Sequence, residues 1–434
     1  MSVVVCGLFV LIVLWALLSN HDLYSPAKFF LFSFFIFHVG ALAARTSYQL
    51  WMLVLLVLLV GASTVLFEAL SPLPRRPRYP LELRRHADPP HFLLCIWALS
   101  LPALAGELFL LWHFGGLSAY INIISNRVIE FRGLGWAVTL SATLVTWNLA
   151  YFVVGLTRPR SRRWWSLYAV HFLMSLAVGL LSGSRGGTLN VFAMQLFCYH
   201  YIRGNVRLRY ALALAASLLA FALVLGVVRN AVRFGDQGLS TGFGGGDSSV
   251  QYGTFEYGTQ PLQILLDADH LKPAYGLTLM SLVTNLVPRD WWPDKPDTGG
   301  VFFTKEYAGN PSAGASNLTP TLLGESVINF GWVAGIALYA YAYPALMYLL
   351  VRYYRRVVVW ARAAGGAAAA VEVLLYVCVM WAVVGLMIAE VTTTVLNLIT
   401  TKILPLLLLK AVFGFRMLPW RPLRAGRALP APAG

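Results

Sequence analysis

Three short stretches of the chain hold residues whose types and spacing suit chemistry. "NLVPRDWWPDKP" (285–296) sets Arg289 and Lys295 among Trp291, Trp292 and three prolines. A guanidinium and an ammonium on a proline-stiffened segment can grip a phosphate-bearing ligand through charge-assisted hydrogen bonds. The paired indoles suit stacking on a sugar, and equally an anchor among lipid headgroups with the charges merely solvated. In "NLTPTLLGESVINFGW" (317–332), Glu325 and Asn329 stand four apart on one face of a helix, beside Gly324, which leaves room for a ligand. Thr319 before Pro320 reads as the N-cap and first turn of that helix, with free amides that suit an anion. A carboxylate placed there can take a proton from a hydroxyl, or form an ordinary polar lip on a membrane helix. The third stretch, "SGSRGG" (182–187), isolates Arg185 among glycines that allow close approach of a ligand or another backbone.

Other signals are weaker. "DAD" (267–269) followed by His270 has the look of a metal-binding triplet, but such triplets arise by chance, and the reading is of a protein without a metal. Glu107, Glu390 and Lys402 fall in or near apolar runs, where ionisable groups are functional candidates; Glu390 and Lys402 are expected to neutralise each other. The four cysteines lie in apolar runs without a paired spacing, and His38, His113, His171 and His200 have no ligand spacing, so packing roles are expected for all of them. No phosphate-binding loop, zinc-protease motif or nucleophile elbow is present, and no cofactor is implied.

The elements that must carry these residues are membrane spans. Several windows of about 20 residues hold few or no charges, as in "QLWMLVLLVLLVGASTVLFEAL" (49–70), which is the length a bilayer core requires. The first run, 2–19, lacks a basic flank and a cleavage signature and reads as a retained span. In a soluble protein a net charge of +15 would suggest nucleic acid. The basic residues instead cluster in short connections (75–85, 158–163, 203–209, 352–356 and the tail 421–427), so they set topology by the positive-inside rule. Threading spans between these clusters predicts an all-α polytopic integral membrane protein of about 11 helices, without an internal repeat. "GGAAAA" (365–370) reads as low complexity.

The same threading gives residues 1–228 as N-terminal transmembrane helices, 229–329 as one large extracytoplasmic loop domain, 330–414 as C-terminal transmembrane helices and 415–434 as a disordered cytoplasmic tail. In 229–329, six Lys/Arg face ten Asp/Glu, so the loop is net acidic while the cytoplasmic connections carry the positive excess. A loop this long should hold short helices of its own. "TQPLQILLDADH" and "YGLTLMSLVTNL" are helix-like, and "GLSTGFGGGDSS" reads as a flexible connector. Arg185 falls on the same outer side.

In this order, "LLSGSRGGTL", "GLTLMSLVTNLVPRDWWPDKP" and "PTLLGESVINFGW" resemble the O-antigen polymerases and related oligosaccharide repeat-unit polymerases (Wzy-type). The resemblance covers roughly residues 180–335 by motif, and the rest by helix layout. It implies a GT-C-like membrane glycosyltransferase in a bacterial inner membrane, with its active face periplasmic. Its substrate would be an oligosaccharide repeat unit on undecaprenyl diphosphate, transferred to the sugar of an incoming lipid-linked unit. Membrane lipid and a chain-length regulator protein are the other expected partners, and no nucleic acid is.

Such a transfer must stabilise a departing diphosphate and activate a sugar hydroxyl, without a metal. Arginines and lysines can do the first, with Arg185, Arg289, Lys295, Arg229 and Arg233 as the candidates. Glu325 is the leading base for the second, with Glu256 and Asp290 in reserve and Asn329, Trp291 and Trp292 as substrate contacts. An O-antigen ligase, transferring to lipid A core, uses the same donor. A transporter or flippase predicts broken helices with charges near mid-bilayer and a repeat between halves.

Overall fold

The computed structural model describes residues 2–38, 47–70, 91–123, 130–131, 133–182, 185–204, 206–235, 238–241, 256–285, 287, 291–308, 318–364 and 366–415, with backbone alone at 185–188, 208, 218–219, 222–223, 225–241 and 360–364. Nearly all of this is helix. In order come α1 (Ser2–Ser19), α2 (Pro26–His38), α3 (Tyr48–Leu70), α4 (Phe92–His113), α5 (Leu117–Ile123), α6 (Gly135–Leu156), α7 (Arg162–Leu181), α8 (Arg185–Arg203) and α9 (Leu208–Ala231). A short antiparallel hairpin, β1 (Val232–Gly235) with β2 (Gly238–Thr241), follows. Then come α10 (Gln260–Asp267), α11 (Leu277–Thr284), α12 (Gly299–Glu306), α13 (Thr321–Ala364), α14 (Gly366–Gly385) and α15 (Val391–Leu398). A π-helical turn (Ile399–Ile403) joins α15 to α16 (Leu404–Val412).

Among the described residues, eight helices are long and apolar enough to cross a membrane: α1, α3, α4, α6, α7, α13, α14 and the continuous α15–α16 unit. That is the composition of a polytopic membrane protein. The helices α2, α8 and α9 stand where the sequence predicts the remaining spans. α2 is only 13 residues long, and α8 mixes Asn190, Gln195, His200 and Arg203 into its apolar run.

Two helices form the centre. In α6 and α14, two thirds of the spanning window is buried, against 17% in α1. The buried face of α6 is partly polar, with Thr146 and Asn148 wholly enclosed. Thr146 donates to the carbonyl of Thr401 at 2.5 Å, which fastens α6 to the π-helical turn. The low-complexity reading of "GGAAAA" is corrected in part: residues 366–370 are the first turn of α14. Ala369 and Ala370 are fully buried there, where small side chains let neighbouring backbones come close.

The helix-like pieces expected in 229–329 are present as α10 and α11, and α12 adds a third. They are tied to α13 by a hydrogen bond from Ala274 N–H to the carbonyl of Ile328 at 2.8 Å. α13 itself is broken at Gly331, whose φ of 75° and ψ of 175° only glycine adopts readily. The bend is sharp: a Cβ on Gly335 would stand 2.5 Å from the Ser326 carbonyl oxygen. The arm before the break carries Glu325, and it lies against the long arm that follows.

Candidate functional site

The first turn of α13 differs from the sequence expectation. Thr319 is not the cap, because its hydroxyl donates to the Ile388 carbonyl at 2.8 Å. Thr321 takes that role, with a φ of 63° and its hydroxyl accepting from Gly324 N–H at 3.2 Å. The amide of Leu322 donates to the Leu386 carbonyl at 3.0 Å. Two of the amides expected to hold an anion are therefore already engaged, and α13 is docked by its first turn onto the chain that follows α14.

One turn on, Glu325 and Asn329 do share a face, as their spacing predicts, and both are buried. Asn329 Nδ2 donates to the Glu325 carbonyl at 2.8 Å and to the Thr278 hydroxyl at 2.7 Å, while its Oδ1 accepts from Gly276 N–H at 3.0 Å. Thr278 passes its own proton to Glu325 Oε1 at 2.9 Å. Glu325 Oε2 accepts the amide of Val391 at 2.7 Å, the first residue of α15. The carboxylate is thus fixed from both sides and retains one lone pair on each oxygen for a further partner.

A second carboxylate joins it. Glu390 stands at the N-cap position of α15, and its Oε2 accepts from Gly300 N–H at the start of α12, while the Thr393 hydroxyl donates to Oε1. A Cβ on Gly299 would lie 2.7 Å from Glu325 Oε1 and 3.1 Å from Glu390 Oε2, so the two carboxylates converge on one glycine. Burial is the main cause that holds the Glu390 carboxyl above the ordinary carboxylate range, against the opposing hydrogen bonds from Thr393, Gly300 and Thr298. Hydroxyls line the floor: those of Ser281 and Thr392 both donate to the Thr278 carbonyl, at 2.5 and 2.9 Å.

Neither carboxylate has a Lys or Arg ion pair among the described residues. Two helix N-termini, those of α12 and α15, stand in for cations. Their unshared N–H groups and partial positive charge favour an anion, which is how two carboxylates are accommodated side by side. The expected pairing of Glu390 with Lys402 is not found. Glu390 stands at the N-terminus of the continuous α15–α16 unit, and Lys402 lies about three turns along it, in the π-helical turn.

The expected cations are placed as follows. Lys295 is buried, and its Nζ donates to the carbonyls of Val287 at 2.6 Å and Thr284 at 3.4 Å. It closes the C-terminal end of α11, where orphan carbonyls and the helix dipole attract a cation. Arg289 lies outside the described residues, as does Asp290. Arg185 is the first residue of α8, Arg229 falls in the last turn of α9 and Arg233 in β1, each described by backbone alone. Trp291 and Trp292 are exposed, at 81% and 42%. Glu256 begins the turn before α10, where its carbonyl accepts from Gln260 N–H at 2.8 Å. Asp267 of the "DAD" triplet accepts from Gln263 at 2.7 Å.

The structure therefore unites Glu325 and Asn329 with Glu390, read from the sequence only as an ionisable group near an apolar run, and with Thr278, Gly299 and Gly300. The arrangement is a buried carboxylate pair with fixed orientation, roofed by the glycine start of α12. It can accept or hold a proton, and it can orient a hydroxyl. No family model, curated protein or solved structure matches the chain.

Proposed function

We propose that this protein is a membrane glycosyltransferase that polymerises undecaprenyl-diphosphate-linked oligosaccharide repeat units, with a GT-C-like architecture and its site at the periplasmic face of a bacterial inner membrane. One observation carries the reading. Glu325, the leading candidate for the base, is held by Thr278 and by the Val391 amide and lies against a second carboxylate, Glu390. A general base needs a fixed orientation and a free lone pair for the acceptor hydroxyl; the hydrogen bonds from Thr278 and Val391 supply the orientation and leave each oxygen a lone pair. Two carboxyl groups this close hold a single negative charge more readily than two, which eases burial of the base. The diphosphate would be gripped by Arg185, Arg229, Arg233 and Arg289, and the sugar would stack on Trp291 and Trp292. Lys295 takes part through the segment it braces at the end of α11.

The test is Glu325→Gln in purified protein supplied with lipid-linked repeat units. Glutamine keeps the size and one acceptor oxygen but cannot take the acceptor's proton, so the initial polymerisation rate should fall about 100-fold or more. A rate within about threefold of wild type, roughly 0.6 kcal/mol of barrier, removes Glu325 from the chemistry. Transfer to lipid A core instead of to a second lipid-linked unit would make the protein a ligase.

A second reading has its own observation. α13 breaks at Gly331, and the chain is interrupted again between α14 and α15, on either side of the carboxylate pair. Broken helices around buried ionisable groups are what a proton-coupled transporter uses. Proton uptake coupled to movement of a lipid-linked glycan across vesicles, with no polymer formed, would favour it.

A further inference from the structure

The helix α11 is inside out. Its buried residues are Thr278, Ser281 and Thr284, all hydroxyl-bearing, and its exposed residues are Leu277 at 47%, Met280 at 53% and Val283 at 69%, all apolar. Both sets recur every third residue as neighbouring stripes along the helix, the hydroxyl-bearing stripe turned inward and the apolar one outward. A helix bordering water shows the reverse pattern, with the apolar stripe turned to the core. Only a neighbour that is itself apolar favours this one.

The surroundings identify that neighbour. α11 packs on α15, α13 and α12. Through Thr392 it meets the first turn of a segment long and apolar enough to span a membrane, Val391–Val412. Its outward face is therefore at the level where that span begins. Tyr275, two residues before α11, is 81% exposed, and Trp291 is equally so on the connection that follows. Amphipathic rings at both flanks of an apolar face are the pattern of an interfacial belt. At eight residues, about 12 Å, α11 is too short to cross a bilayer.

We propose that α11 is immersed in the membrane, with Leu277, Met280 and Val283 against lipid acyl chains and Tyr275, Trp291 and Trp292 at headgroup level. The segment between α9 and α13 is then not an aqueous domain standing clear of the bilayer. Through α11 it contributes one wall of the bundle at membrane depth, between the hydrocarbon and the cluster of Thr278, Glu325 and Asn329. This placement is independent of the glycosyltransferase reading.

Spin labels test it. Met280→Cys and Val283→Cys, made where Cys6 and Cys95 are replaced by alanine and the buried Cys198 and Cys378 are kept, would be labelled in full-length protein in phosphatidylcholine vesicles. Oxygen, which concentrates in hydrocarbon, should broaden both spectra several-fold more than a water-soluble nickel chelate. Lys272→Cys, at a side chain that is 73% exposed, should show the opposite order. Nickel exceeding oxygen at 280 and 283 would place α11 in water and overturn the proposal. Protection from both reagents would do so too, because a second protein surface, such as another copy of the chain, would then cover the face.

Discussion

The two ends of the helix bundle handle buried charge in opposite ways. At the end holding the α1–α2 connection, the buried carboxylates Asp22, Glu68 and Glu372 are each met by a cation, a histidine or donors drawn from elsewhere in the chain. Asp22 accepts from His200 Nε2 at 2.8 Å, from the Tyr354 hydroxyl at 2.5 Å and from Tyr24 N–H at 3.0 Å. Glu372 and Lys410 form a buried ion pair, with the Tyr353 hydroxyl on the other Glu372 oxygen at 2.8 Å. Glu68 accepts from Asn20 and from the Ala27 amide, at 2.9 and 2.8 Å. At the other end, roughly 28 Å along the long arm of α13, Glu325 and Glu390 converge as like charges on Gly299. The first arrangement is what a low-dielectric bundle requires of charge that serves structure. The second sets two carboxylates side by side with no Lys or Arg ion pair among the described residues. Hydroxyls and helix N-termini keep it tolerable, and groups strained in this way collect where a protein acts.

The contrast can be broken most forcefully at Lys410. Lys410→Met strands Glu372 in the core and should cost about 3–5 kcal/mol, read from unfolding in detergent micelles. Adding Glu372→Gln should recover most of that. A loss under about 1 kcal/mol in the single variant would show that the pair is not structural. Next in size is Gly299→Ala. The new methyl would stand within 3.1 Å of both carboxylates, so α12 must shift, at about 1–3 kcal/mol. Unchanged stability and activity together would mean that α12 does not roof the pair.

The smallest effect is a difference in pH slope. Burial pushes the Asp22 carboxyl up, but the hydrogen bond and charge of His200, with the hydrogen bonds from Tyr354 and Tyr24, outweigh it and hold the group below its ordinary value. Its stabilisation is present above the unfolded-state value and is lost as pH falls through the lowered one. Glu390 is shifted the other way, so its contribution is full below the ordinary carboxylate range and is lost as pH rises through the raised value. Asp22→Asn should flatten the acid side of the stability profile, and Glu390→Gln the side above it. The same flattening from both variants would erase the distinction between the two ends.

What could be read from the sequence follows the physics of each signal. Glu325 and Asn329 were legible because helical spacing alone puts them on one face. The helices α10 and α11 were legible from apolar periodicity. The role of Glu390 was not, because its partners Glu325 and Gly300 come from 65 and 90 residues earlier in the chain, and no local pattern encodes such a meeting. Lys402, the nearer candidate partner, is separated from it by helix geometry. α12 was missed because it opens on two glycines, the poorest helix formers after proline. Thr319 looked like a cap and lost that role to Thr321 when the Ile388 carbonyl took its hydroxyl.

The bond pattern around Asp22 has a bearing on how the protein is made. Its two side-chain partners, His200 and Tyr354, follow it by 178 and 332 residues. At about 5–20 residues per second, the ribosome delivers Tyr354 roughly 17–66 seconds after Asp22. Throughout that interval the α1–α2 connection exists without the hydroxyl that completes it. The α1–α2 connection is therefore made without its last hydroxyl donor, which reaches Asp22 only when the long arm of α13 arrives beside it.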